Sequence, residues 1–159
     1  MNITIITVGK LKEKYLKSAI DEYAKRLSRY CKLTIIELPD EKTPDNASEK
    51  DELIIKSKEG DAILKKIKEN MYVIALDLKG EHVTSEDFAS KLEKLSVSGN
   101  SNLAFVIGGS LGIAKEVLQR ADYKLCFSKM TFPHQLFRVM LLEQIYRGFR
   151  INNNEPYHK

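Results

Sequence analysis

The chain has 159 residues, 26 of them basic and 22 acidic, for a net charge of +4. That length is one domain with room for a real core, and 43% hydrophobic with 30% charged residues is the balance of a soluble globular protein. No apolar run is long enough to span a membrane, the start of the chain lacks the basic region of a signal peptide, and Cys31 and Cys126 stand far apart with no His or Cys at ligand spacing, so a disulfide scaffold and a metal centre are not expected.

In chain order, Ile3 to Val8 reads as a strand stopped by Gly9. Leu16, Ile20, Tyr23, Leu27 and Tyr30 then recur at helical spacing and mark the inner face of a helix. Leu33 to Leu38 is a second strand, and Pro39 and Pro44 fence a polar loop, Asp40 to Ala47. Ser48 is placed to cap a charged helix reaching about Lys68, with Gly60 as its weak point. Tyr72 to Leu76 is a third strand, after which Asp77 to Gly80 reads as a turn. Thr84 and Asp87 form a capping box for a helix whose inner face is Phe88, Leu92 and Leu95. Ser96 to Asn102 is a loop. Leu103 to Ile107 is the most apolar strand, followed by Gly108 and Gly109 and a helix over Ile113 to Arg120. Tyr123 to Cys126 is a short fifth strand and Phe127 to Phe132 a loop. Pro133 falls in the first turn of a last helix reaching about Arg150. Asn152 to Lys159 is a tail. Alternating strands and helices predict an α/β fold with a mostly parallel sheet flanked by helices, in a single domain spanning residues 1–159.

Three stretches carry the functional reading. A buried strand, a glycine turn and a helix form a cradle for a small polar or charged ligand, although the same residues also make a plain βα turn. Gly-Gly-x-x-Gly is not the dinucleotide fingerprint. In the last helix, Leu136, Phe137, Val139, Met140, Leu141, Leu142, Ile145, Tyr146 and Phe149 surround most of the circumference, more than one sheet face needs. Either another helix of the chain or a second subunit covers the surplus; the subunit is the expectation, with Leu142 on that interface. The tail ends in Tyr157, His158 and Lys159, types that stack on bases and pair with phosphates, yet its composition is also that of a frayed end.

Val106-Ile-Gly-Gly-Ser-Leu-Gly112, Phe127-Ser-Lys-Met-Thr-Phe-Pro-His-Gln-Leu-Phe-Arg-Val-Met-Leu-Leu-Glu-Gln-Ile-Tyr-Arg147 and Pro156-Tyr-His-Lys159 together strongly resemble the RlmH family, small SPOUT-class methyltransferases of ribosomal RNA. Ile5-Ile-Thr-Val-Gly-Lys10 and the total length agree, so the resemblance covers the chain. It implies a sheet whose C-terminal part threads a trefoil knot, a topology that general folding rules would not suggest. It also implies S-adenosylmethionine as cofactor, a homodimer, and N3-methylation of a pseudouridine in 23S rRNA of the assembled ribosome, while the two free thiols suit a reducing cytoplasm. By motif, Leu76, Gly108, Phe127, Ser128, Lys129, Met130, Thr131 and Phe132 would hold the cofactor. Where relatives often carry Leu after the Thr of this loop, Phe132 is a similar apolar wall.

The chemistry needs no metal, since a sulfonium methyl is already electrophilic, but the imide N3–H must lose its proton. His158 and Glu143 are the candidates for that step. His134, Arg138, Arg147, Tyr157, His158 and Lys159 are the candidates for substrate contact. Plainer readings stand beside these. His134 is equally a structural histidine at a helix start, Glu143 with Arg147 equally a helix salt bridge, and Lys10, Lys12, Lys14 and Lys17 equally a solvated face or a phosphate contact. A non-catalytic RNA- or ribosome-binding protein and an enzyme acting on a small phosphorylated metabolite are the rival functions.

Overall fold

A computed structural model describes residues 1–159. The elements are β1 (Asn2–Val8), α1 (Lys14–Leu27), β2 (Lys32–Leu38), α2 (Glu49–Lys66), β3 (Tyr72–His82), α3 (Ser85–Val97), β4 (Asn102–Ile107), α4 (Lys115–Arg120), β5 (Tyr123–Cys126) and α5 (His134–Asn152). The sheet runs β2-β1-β4-β3-β5 and every pairing is parallel. A parallel sheet must be covered on both faces, and strand periodicity assigns each side chain its layer. Ile3, Ile5, Leu103, Phe105 and Ile107 join α1, α3 and α5 in one core. Ile6, Val8, Ala104 and Val106 join α2 and α4 in the other. The helices alternate between faces because the crossovers alternate in direction along the sheet, as a single crossover hand requires. No helix is long and apolar enough to cross a membrane.

The two N-caps expected at Ser48 and Thr84 are present as full capping boxes. Each hydroxyl accepts the backbone N–H of the Asp three residues on, and each Asp carboxylate accepts the cap's own N–H. Gly60, expected as a weak point, is a contact: a Cβ there would sit 2.7 Å from the Cβ of Ala114, so the missing side chain lets α2 close on the segment leading into α4. That segment also departs from expectation. Gly112 lies at φ +88°, Gly109 pairs with Gly112, and α4 starts only at Lys115, with Ile113 and Ala114 buried ahead of it. Pro133 is likewise just outside α5, as its N-cap.

The turn expected over Asp77 to Gly80 is an excursion inside β3. Leu76 and Glu81 both face Leu125 of β5, so the four residues between them bulge out and pairing then resumes. Gly80 is essential to this. A Cβ there would lie 2.7 Å from the carbonyl carbon and oxygen of Lys124 and 2.8 Å from that of Leu125. Backbone cannot yield as a side-chain tip does. Gly80→Ala is expected to cost about 1–3 kcal/mol, the range for overpacking; a thermal melt matching the wild type would show that the bulge is not closely packed on β5.

The chain itself covers much of the surplus apolar surface of α5, the alternative the sequence left open. The helix packs against both α1 and α3. Tyr146 meets the ring of Tyr23 at 6.4 Å, and Phe149 stacks on Tyr30 at 5.4 Å. Leu142, placed by the sequence on an interface, is 1% exposed and belongs to the monomer's own core. What stays open on α5 is its N-terminal part, where Leu136 is 40% exposed and Phe137, Val139 and Met140 are half-buried.

Candidate active site

Three loops at the carboxyl ends of β3, β4 and β5 converge on a cavity of about 310 Å³, the usual ligand position in an α/β sheet. β3 brings Leu76 to Leu78, the glycine turn brings Ile107 to Ile113, and the last loop brings Leu125 to Ser128 and Met130 to Phe132. His134 and Phe137 of α5 close the side. Seven of the eight residues assigned to the cofactor by motif therefore meet here; Lys129 does not line the cavity. Asp77, Leu78, Cys126 and Phe137 also line it and were not assigned to the cofactor. Asp77 and Leu78 were hidden by the turn reading, while Phe137 sits three residues after His134 on the same helical face.

Local hydrogen bonds and steric limits set the shape. Ser128 Oγ accepts the Met130 N–H at 3.0 Å, and Cys126 Sγ donates to the Ser128 carbonyl at 3.2 Å, which folds the loop over the cavity. Phe127 packs on Phe137 with ring centroids 4.8 Å apart. A Cβ on Gly108 would stand 2.8 Å from both the Gly112 carbonyl oxygen and Ile113 Cγ1. The turn is thus folded tightly on itself and presents backbone to the cavity. Leu78 and Met130 are 62% and 73% exposed at the rim, an apolar edge facing outward.

The remaining candidates sit in two other places. A second cavity of about 490 Å³ shares the wall Leu125 to Ser128 and Phe132 with the first, and Glu143 lines it from α5. Here the tail is anchored, not frayed. Arg150 pairs with Glu155 and donates to the Pro156 carbonyl, while Tyr30 donates to Glu155 at 2.8 Å. Tyr157 stacks edge-on against Tyr146 at 4.9 Å and donates to Glu143 at 3.1 Å. Arg147 donates to the same Glu143 oxygen at 2.6 Å, and Gln144 to the other at 2.9 Å. Burial, then the facing Glu143 carboxylate, pushes the Tyr157 phenol up to about 12, so Tyr157 holds its proton.

His158 stands between Arg147 and Glu86. Its Nδ1 is 3.1 Å from Arg147 Nη1 and its Nε2 is 2.6 Å from Glu86. A guanidinium can only donate, so Nδ1 is the acceptor and Nε2 carries the proton. The bond to His158 holds the Glu86 carboxyl below its usual range. Lys159 is exposed at the end.

Arg138 lies apart from both groups. It is 3% exposed and ties α5 to the ends of β1 and β2, donating to Glu37 at 2.7 Å and to the Gly9 carbonyl at 2.7 Å. Losing charge-assisted bonds of this kind costs about 1.5–3 kcal/mol, so Arg138→Leu is expected to lower stability by that much. A variant that melts like the wild type would show that these bonds do not hold α5 to the strand ends. No group of three or more His, Cys, Asp or Glu side chains is gathered as a metal site.

An all-parallel α/β domain with its cavity under three carboxyl-end loops has the ligand position usual for such sheets, and its relatives give the class. Residues 1–158 match a family model described as "Predicted SPOUT methyltransferase". Over its full 159 residues the chain is 77% identical to a Clostridium perfringens protein named ribosomal RNA large subunit methyltransferase H 1, again covering that whole chain. Proteins named ribosomal RNA large subunit methyltransferase H from Clostridium beijerinckii and Clostridium kluyveri are 74% and 72% identical, each over the full length of both chains. The chain belongs to the RlmH family of SPOUT methyltransferases.

Proposed function

We propose that this chain is an S-adenosylmethionine-dependent methyltransferase acting on N3 of a pseudouridine in 23S rRNA of the assembled ribosome, as a homodimer in the cytoplasm. The observation that carries the reading is the convergence of the three loops on the glycine-turn cavity, in a chain whose relatives bear the name of a ribosomal RNA methyltransferase. The donor set fits the cofactor. Leu76, Met130 and Phe132 offer apolar walls for an adenine, and Gly108, Gly109 and Gly112 offer backbone amides and carbonyls that no side chain of their own covers. When bound, S-adenosylmethionine supplies an electrophilic methyl group. The loops orient the two reactants and keep water out.

Tyr157, His158, Lys159, Arg147 and His134 are the proposed substrate contacts. Arg147 governs the proton step. As found, it neutralises Glu143 and occupies the lone pair of His158 Nδ1. When Arg147 turns to a nucleotide phosphate, Nδ1 is free to take the imide proton. The resulting imidazolium is stabilised by Glu86 at Nε2. The loop Phe127 to Phe132 separates this network from the cofactor cavity of the same chain, and the open apolar rim at Leu78, Met130 and Leu136 supports a second copy docking there. The tail of one protomer then serves the cofactor of the other.

The test incubates purified protein and radiolabelled S-adenosylmethionine with ribosomes from a strain lacking the gene, and identifies the labelled nucleoside by mass spectrometry. N3-methylpseudouridine made on ribosomes is the expected product. No label, or equal labelling of protein-free rRNA, would overturn the substrate reading. Light scattering that finds a stable monomer at micromolar concentration would overturn the dimer.

A further inference from the structure

The cofactor turn rests on two consecutive residues of α2 that none of the chemistry above uses. Gly60 meets Ala114 at one end of the turn, as described. Glu59 meets the other end, and it is only 5% exposed. Its carboxyl lies flat on Gly109: a Cβ there would be 3.0 Å from Oε1, 3.2 Å from Oε2 and 3.3 Å from Val8. Oε2 accepts the Glu41 backbone N–H at 3.3 Å, whereas Oε1 is buried with no partner. A buried carboxyl left half-satisfied is costly, and such groups in native proteins need a reason. Gly109 also lines the cavity.

We propose that Glu59 is a positioning residue for the methyl-donor turn, its carboxyl being the backstop against which Gly109 is set. The proposal rests on the reading that this turn binds the donor. A pH dependence follows. The groups facing Glu59 are Asp40 and Glu41 from the loop after β2, with the Arg138 guanidinium further off beyond Gly9; Val8 and Gly109 bring no charge. Glu59 is the buried member of this acidic group, Asp40 and Glu41 being exposed, so the neighbouring negative charges disfavour its ionised form. Burial first, and the neighbouring acids next, push Glu59 up to about 7. The protonated group packs against Gly109. The ionised one repels Asp40 and draws in water for Oε1, which moves the backstop.

The experiment measures S-adenosylhomocysteine binding by calorimetry at about pH 6 and about pH 8.5, alongside amide-exchange protection of residues 108–114 without ligand. If only the protonated form is competent, wild-type affinity falls about tenfold or more across that range. Glu59→Gln keeps the shape without the titration, so its affinity and its protection stay level. Glu59→Ala binds several-fold more weakly at both pH values. A carboxyl that keeps its proton better folded than unfolded also makes the native state less stable as pH climbs from the ordinary carboxylate range to about 7. The melting temperature of Glu59→Gln should therefore exceed the wild type's at about pH 8. The proposal is overturned if Glu59→Gln follows the wild-type pH profile, or if Glu59→Ala binds as the wild type does. Should the wild type bind no S-adenosylhomocysteine at all while protection of the turn still titrates and Glu59→Gln abolishes that titration, the donor reading fails and the backstop stands.

Discussion

Gly108→Ala will weaken S-adenosylhomocysteine binding by about a hundredfold or more in a chain that still folds. The added Cβ meets the Gly112 carbonyl at 2.8 Å and Ile113 Cγ1 at 2.8 Å. The side chain can rotate aside, but the carbonyl belongs to the turn and can move only if the turn opens. Displacing a ligand-positioning backbone by about an ångström costs on the order of a hundredfold in what that backbone positions. The stability cost should stay near the 1–3 kcal/mol of ordinary overpacking, because β4 and α4 on either side keep their core contacts. Gly112 provides the comparison. It sits at φ +88° with nothing within 4 Å of its missing Cβ. Asn tolerates positive φ better than most residues, so Gly112→Asn should keep affinity within a few-fold of wild type. Calorimetry and thermal melts on both variants decide the matter. Tight binding by Gly108→Ala would mean that the turn does not position the ligand.

Sequence periodicity exposes the parts of this fold that depend on local chemistry. The apolar runs of β1 and β4, the helical face of α1 and the capping boxes at Ser48 and Thr84 are each signalled within a few residues. The convergence of three loops follows from strand order and chain direction once a parallel sheet is assumed. What stayed hidden depends on partners distant in sequence. The bulge at Asp77 to Gly80 exists because β5 resumes pairing beyond it, and α4 starts late because Gly112 turns left-handed to close on Gly109. Gly60 looks like a helix defect until Ala114 is set against it.

The same limit applies to the site. Seven of the eight residues that motif assigns to a cofactor line one cavity, since the residues of that loop sit together in the chain. Motif gave no sign that Arg138 is buried on Glu37, because the charge that holds it lies 101 residues away. Glu59 carries no motif; only its burial against a glycine marks it. The tail's polar composition reads as a loose end, and its order comes from Tyr30, Glu86 and Glu143, which no local pattern links to it.

Deleting Tyr157 to Lys159 will remove methyl transfer while leaving cofactor binding close to wild type. These residues line neither the glycine turn nor the loop walls of the cofactor cavity. Structurally the deletion removes the Tyr157–Tyr146 ring contact and the bonds to Glu143 and Glu86, and an aromatic pair of that kind is worth about 0.5–1.5 kcal/mol beyond its area. A small fall in melting temperature is expected, because the anchor of the tail on Arg150 lies before the cut. Activity should fall to background, since the hydrogen-bonding ring, the stacking phenol and the terminal cation go together. Subunit mixing then tests which active site the tail serves. Gly108→Ala protein and tail-deleted protein are each expected to be inactive, and in the proposed dimer exchange at equal amounts makes half of the pairs mixed. If the tail reaches the partner's cofactor, each mixed dimer has one intact site, and about a quarter of wild-type activity returns. If the tail serves its own chain, every site in the mixture lacks one half and nothing returns. Rescue to about a quarter establishes the shared site; absence of rescue, in a mixture shown by mass spectrometry to contain mixed dimers, assigns the tail to its own protomer; and full activity of the deletion alone removes the tail from the reaction altogether.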